Sequence, residues 1–150
     1  MAARIAIASD HAAIALKTSL TNWLREHGHH VTDLGPHSHE SVDYPDYGYA
    51  LGRVIAAGDA DFGIALCGSG IGISIAVNRN PAARCALVSE PLSAALARRH
   101  NDANVIAMGA RLTGEDMAKA CIQAFIDTEF EGGRHQARVA KLSTFAKEPV

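Results

Sequence analysis

Three cysteines, Cys67, Cys85 and Cys121, are all that the 150-residue chain carries, and no two of them stand at CxxC spacing. An odd, scattered set argues against a disulfide framework and a zinc knuckle, and reduced thiols suit a cytosolic setting. An excess of either charge is missing too. Fourteen Lys and Arg against sixteen Asp and Glu leave a formal net charge of −2, which offers no general attraction to nucleic acid or an anionic membrane, so any basic site has to be local. Long hydrophobic runs are also lacking. Gly, Asp or Ser interrupts every apolar stretch before the ~20 residues that span a bilayer, and Met1–Ala8 is shorter than a signal peptide. Together these absences predict a soluble cytoplasmic protein. Linkers, internal repeats and low-complexity segments are missing as well, and with 48% apolar residues the expectation is one compact domain over 1–150.

What is present is an alternation of short apolar runs with helical periods. Arg4–Ala8, His30–Leu34, Phe62–Leu66, Arg84–Val88 and Val105–Met108 read as strands. A helix is expected over Asp10–His27, closed by Gly28, and a second over Tyr47–Ala57 after a polar loop with Pro36 and Pro45 as breakers. A third follows the Cys67–Gly72 turn to about Asn78, and a fourth runs from Pro91 to about His100. Thr113 is read as the cap of a fifth, with Met117, Cys121, Ile122 and Phe125 inward; a last helix spans Arg134 to about Phe145, and residues 146–150 fray. Buried parallel strands read as apolar runs rather than as alternation, so the fold class is a three-layer α/β domain with helices on both faces of a parallel sheet. Ligands of such folds sit beyond the carboxyl ends of the strands. Ser9–His11, Cys67–Gly72, Ser89-Glu90 and Gly109–Arg111 are therefore expected to line one crevice.

Gly68, Gly70 and Gly72, after a strand and opening a helix, expose backbone N–H groups at the positive end of a helix dipole, where an anion belongs. Several motifs fail here. Ile73 breaks the dinucleotide fingerprint, although Glu90 stands near where a ribose-binding acid would be; a P-loop lacks its Lys-Ser/Thr pair. A nucleophile elbow around Ser69 would need glycine where Cys67 and Ile71 stand, and a Cys-x5-Arg phosphatase loop would need arginine at 73. What survives is Cys67 beside a nest of amides. By composition it is a small buried hydrophobe; by position it is a thiol whose pKa a helix N-terminus can lower, a usable base or nucleophile. Cys85 and Cys121 read as core. His100 is either a general acid or a cation favoured by its helix C-terminus. His27, His29, His30, His37 and His39 cluster without liganding spacing and read as solvated, so no metal site is expected. Arg134 and Arg138, four apart after Gly132-Gly133, would share a helix face and could clamp a phosphate dianion.

Ser9-Asp10-His11, Asp43-Tyr44-Pro45, Cys67-Gly-Ser-Gly-Ile-Gly-Ile-Ser74, Ser89-Glu90-Pro91, Arg99-His-Asn-Asp102, Asn104-Val105, Gly109-Ala-Arg111 and Glu131-Gly-Gly-Arg-His-Gln-Ala-Arg138 stand in order over most of the chain. Together they resemble the B-type ribose 5-phosphate isomerases, whose wider family includes allose 6-phosphate and galactose 6-phosphate isomerases. The resemblance implies a five-stranded, parallel, Rossmann-like αβα sheet and conversion of ribose 5-phosphate to ribulose 5-phosphate without metal or organic cofactor. It implies Cys67 as the base acting through a cis-enediolate, and His100 as the residue that assists ring opening. Asp10 and Asn101 match contacts to sugar hydroxyls, and Tyr44 matches a substrate contact. The Gly68, Ser69, Gly70, Ile71 and Gly72 amides match the enediolate's anion hole. His11, Arg134 and Arg138 match phosphate contacts and Arg111 a further ligand contact. Homodimers, or dimers of dimers with shared active sites, are the family's habit. Ala13 stands where many relatives have Gly and Ser69 where many have Thr, which keeps the hydroxyl and leaves slightly more room. The rival readings are an isomerase of another phosphosugar, such as allose 6-phosphate or a four-carbon sugar phosphate, and a non-catalytic phosphosugar-binding module.

Overall fold

The computed structural model describes residues 2–144. Strands β1 (Arg4–Ser9), β2 (His30–Asp33), β3 (Phe62–Cys67), β4 (Cys85–Leu87) and β5 (Val105–Gly109) form one parallel sheet in the order β2-β1-β3-β5-β4. Six α-helices accompany them: α1 (Ile14–Glu26), α2 (Tyr44–Ala57), α3 (Ile71–Val77), α4 (Pro91–Asn101), α5 (Glu115–Asp127) and α6 (Gln136–Thr144). The expected three-layer, Rossmann-like α/β sheet is the fold observed.

The two faces of the sheet differ in bulk. Ile5 and Ile7, Ile64 and Leu66, and Ile106 and Met108 point to one side, where they pack with Leu20 and Leu24 of α1, Ala94 and Ala97 of α4, and Cys121, Ile122 and Phe125 of α5. Their alternates Ala6 and Ala8, Ala65 and Cys67, and Ala107 point to the other, against Leu51 and Ile55 of α2 and Ile73 and Val77 of α3. This follows from the period of two along a strand. Small side chains let α2 and α3 come close to the strands and to one another. A Cβ on Gly48 of α2 would lie 2.6 Å from the Ala76 Cβ of α3. Because Cys67 ends β3 on that small face, α3 starts against its thiol.

Boundaries shift where local chemistry competes with periodicity. The first expected helix opens as a 3-10 turn, His11–Ala13, capped by the Asp10 carboxylate. Tyr44 already begins α2, and Pro45 sits in its first turn, where a missing N–H costs nothing, instead of breaking the chain. Thr113 does not cap α5: Gly114 holds that position with no side-chain bond, and Thr113 is buried. Met117 is 43% exposed and Ala118 takes the inward position. Leu34 falls outside β2, and β4 is confined to Cys85–Leu87. The expected end of the last helix at Phe145 and the tail 146–150 lie outside the described residues.

One ion pair underlies the loop that follows β2. Lys17, fully buried on α1, places its Nζ 2.6 Å from both carboxylate oxygens of Asp33, and Asp33 Oδ1 also accepts the Gly35 N–H at 2.8 Å. The Gly35 carbonyl in turn accepts the Ser9 N–H at 3.1 Å, one residue before Asp10. Asp33→Asn leaves a buried ammonium without its counter-charge, so urea unfolding should show a loss of about 3–5 kcal/mol. Lys17→Met, which leaves the better-solvated Asp33 alone, should cost less.

Candidate active site

At the carboxyl end of β3 the chain passes through Gly68 and Ser69 to Gly70, which adopts φ 78° as the N-cap of α3. A Cβ on Gly70 would lie 2.7 Å from the Met108 carbonyl carbon and 2.8 Å from Leu87 Cδ1. Left-handed backbone and lack of space thus both demand glycine there. The turn returns the Gly70 N–H to the Cys67 Sγ at 3.1 Å, and the Ser69 Oγ accepts the Ile71 N–H at 3.2 Å. Two of the amides expected to meet an anion are therefore engaged within the turn. The Gly68, Ser69 and Gly72 amides have no protein acceptor among the described residues.

Around this turn lies a cavity of about 560 Å³ that also takes in Asp10, His11, Tyr44 and Arg111. Each is held by a different contact. Asp10 is buried, its backbone N–H donating to the Leu66 carbonyl at 3.1 Å and its Oδ1 accepting the Ala12 N–H at 3.0 Å. His11 Nδ1 accepts the Val42 N–H at 3.1 Å, which leaves Nε2 as the ring's N–H donor. Tyr44 lies over Gly72, where a Cβ would meet the ring at 2.6 Å. The Arg111 N–H donates to the Gly68 carbonyl at 3.0 Å and its guanidinium runs alongside that glycine. A carboxylate, an imidazole N–H donor, a guanidinium and a thiol around one cavity suit a polyhydroxylated anion and the movement of a proton on it.

His100, Asn101 and Arg138 are not there. They line a second cavity of about 330 Å³, with His135, Val139 and Leu142, that shares no lining residue with the first. His100 stacks on His135 with ring centroids 4.5 Å apart and 16° between planes, and Glu131 Oε2 lies 3.8 Å from His100 Nε2 and 3.7 Å from His135 Nε2. Arg134 and Arg138 do not share a helix: Arg134 belongs to a 3-10 turn, Gly133–His135, that precedes α6. Gly132 and Gly133 have φ of 65° and 55° with nothing within 4 Å of either Cβ position. Backbone path, not crowding, calls for glycine there. Ser89 and Glu90 leave the crevice as well, because the Glu90 carboxylate caps α4 through the Leu92 and Ser93 N–H groups.

Ile75 and Leu112 on the first cavity, His135 on the second, and Glu131 beside the His100 and His135 rings were not anticipated as site residues. Ile75 follows Ile71 by one helical turn, a spacing that could have flagged it. Burial pushes the Cys85 thiol up to about 12, and burial also raises Cys121, helped by Glu90. Desolvation, then the neighbouring His100 and Arg134, lowers His135.

Residues 5–142 match the Ribose/Galactose Isomerase family. The chain is 43% identical over 140 residues to ribose-5-phosphate isomerase B of Escherichia coli K12, covering 93% of this chain and 94% of that one. It is 42% identical over 142 residues to the D-erythrulose-4-phosphate isomerase of Pectobacterium atrosepticum, covering 94% and 93%. The crystal structure of a ribose 5-phosphate isomerase from Thermotoga maritima superposes with a TM-score of 0.92 at 48% identity, covering 94% of this chain and 97% of the other.

Two outcomes follow from the geometry. Gly70→Ala should destabilise the fold by about 1–3 kcal/mol for the left-handed backbone alone, and by more than Gly133→Ala, which meets no neighbour. In an NMR titration the His135 midpoint should lie below 6.5, the ordinary histidine value, and should rise in Arg134→Ala; a midpoint above 6.5 would contradict the desolvated, cation-flanked setting.

Proposed function

The chain belongs to the Ribose/Galactose Isomerase family, and from that premise we propose that it interconverts D-ribose 5-phosphate and D-ribulose 5-phosphate, its 150 residues acting as one cytoplasmic isomerase domain. No helix among the described residues is long and apolar enough to cross a membrane. The observation that carries the proposal is the Cys67 Sγ lying under the Gly70 N–H, in one cavity with Asp10, His11 and Arg111.

Cys67 takes the proton from C2 of the open-chain aldose and returns one to C1. Between these steps the substrate is a cis-enediolate, in which a proton passes from the C2 hydroxyl to O1, and its oxyanion is met by the Gly68, Ser69 and Gly72 amides, which need no reorganisation to receive it. The Gly70 and Ile71 amides act indirectly, by holding the sulfur and the Ser69 hydroxyl. Asp10 accepts sugar hydroxyls, Tyr44 closes one wall, His11 donates from Nε2 to the phosphate and Arg111 adds positive charge. His100 delivers a proton to the ring oxygen during ring opening, Asn101 holds a hydroxyl, and Arg134 and Arg138 bind phosphate. Neither metal nor organic cofactor enters these steps.

The separation of the two cavities bears on assembly. Among the described residues His100, the residue assigned to ring opening, does not line the Cys67 cavity, and this favours a homodimer, or a dimer of dimers, in which His100 of the partner subunit completes each Cys67 cavity. Helix α6 supports this reading, since it buries no residue in its own chain and leaves Leu142 58% exposed. A second substrate reading has one specific support, the 42% identity to a D-erythrulose-4-phosphate isomerase. One carbon of sugar length is worth only about 1–3 kcal/mol of discrimination, so a four-carbon phosphosugar would use the same residues in the same roles. A binding module would need neither the thiol nor His100.

Cys67→Ala and His100→Ala should each abolish ribose 5-phosphate turnover while Cys67→Ala still binds phosphosugar. Mixing the two inactive variants under subunit exchange should restore about a quarter of wild-type activity, because half the dimers are mixed and each carries one intact site. Mixed dimers that form and stay inactive would contradict the shared site.

A further inference from the structure

We propose that His100, Glu131 and His135 form a binding site for a borderline divalent transition cation of the Zn2+ type, and that its occupation shuts down the enzyme. One ring nitrogen from each of His100 and His135 and one Glu131 carboxylate oxygen lie within 4.8 Å of one another. Two imidazoles and a carboxylate are the donor set such cations prefer, with bonds of about 2.0–2.2 Å. Ligand atoms around an ion of that size stand somewhat closer than the observed 3.7 and 3.8 Å between Glu131 Oε2 and the two Nε2 atoms. Movement of the exposed Glu131 side chain closes that gap.

Several features hold the donors ready. Both rings bring Nε2 near the same carboxylate oxygen, and because they stack nearly parallel the more exposed His100 ring turns out of the stack to aim its in-plane lone pair at an ion held by His135 and Glu131. The His135 side chain is only 11% exposed, so one ligand is already fixed. The Glu131 N–H donates to the Arg99 carbonyl at 3.0 Å, tying the loop to the last turn of α4, where His100 sits. Arg134 Nε donates to His135 Nε2 at 3.4 Å, so this nitrogen carries the lone pair a cation needs. That contact is long, and Arg134 has to swing away. Arg134 and Arg138 oppose the charge of the ion and keep the site weaker than a structural zinc centre. Three protein ligands leave the remaining positions to water or substrate oxygen, as in open zinc sites.

The inhibitory part rests on the proposed function: a cation on Nε2 removes the atom with which His100 would serve the ring oxygen, and it sits beside the arginines assigned to phosphate. Cation and phosphosugar therefore compete. Metal-free protein titrated with Co2+ should develop visible absorption for one ion per chain. Glu131→Gln and His135→Ala should weaken binding about tenfold or more, while Cys67→Ala leaves it unchanged. Zn2+ should inhibit wild-type turnover over the range in which it binds, EDTA should reverse this, and Glu131→Gln should blunt it. Co2+ binding that survives both ligand substitutions, or is absent at millimolar concentration, overturns the site, and binding without inhibition overturns its overlap with His100. Absence of isomerisation by metal-free wild type would instead refute the proposed function, and the Co2+ spectrum would still judge the site.

Discussion

The close approach of α2 and α3 to the small-residue face of the sheet governs both the fold and the site. Alanines dominate that face of the central strands, with Cys67 and Val105, while isoleucine, leucine and methionine fill the other against α1, α4 and α5. Close packing of this kind cannot yield by more than a few tenths of an ångström without losing contact over many atoms. At the upper end of the face it forces the chain to leave β3 and enter α3 within three residues, Gly68, Ser69 and Gly70. The left-handed turn at Gly70, wedged against the backbone at Met108 and Gly109, makes this short connection. The sulfur of Cys67 receives its N–H as a consequence. Site geometry is thus a by-product of sheet packing, and substitutions on α2 or α3 far from Cys67 act on it through the same contact.

A second constraint is the division of polar residues between two cavities. One chain gathers thiol, carboxylate, His11 and Arg111 around the β1 and β3 ends, and gathers His100, Asn101 and Arg138 at the foot of α4 and α6. Under the proposed roles the first set holds the base and the second the acid for ring opening. The Glu131 carboxylate beside the edges of two stacked imidazoles sets the second group apart from the first.

Much of this was legible in the residues. Apolar runs marked all five strands, and the Cys-Gly-Ser-Gly turn stood out because alternate glycines after a strand have few other uses. The strand-end rule put Asp10, His11 and Arg111 in one crevice with Cys67, while Tyr44 came from resemblance, since its place in a polar loop points to no cavity. Elsewhere a local competitor won. Pro45 reads as a breaker until its place in the first turn of α2 is known. Glu90 reads as a ligand contact until its carboxylate is seen to cap α4. The spacing of Arg134 and Arg138 suggests one helix, but the positive φ angles of Gly132 and Gly133 delay the start of α6. His135 was invisible because a lone histidine beside arginines carries no signal until its ring is found stacked on His100.

The most direct test of the chemistry is to follow ribose 5-phosphate by NMR in D2O with EDTA present. A base-catalysed enediolate route predicts continuing turnover, with deuterium entering C1 of the ribulose 5-phosphate formed. Loss of turnover under EDTA, or ribulose 5-phosphate that keeps only protium at C1 as a direct hydride shift would leave it, would contradict the role given to Cys67.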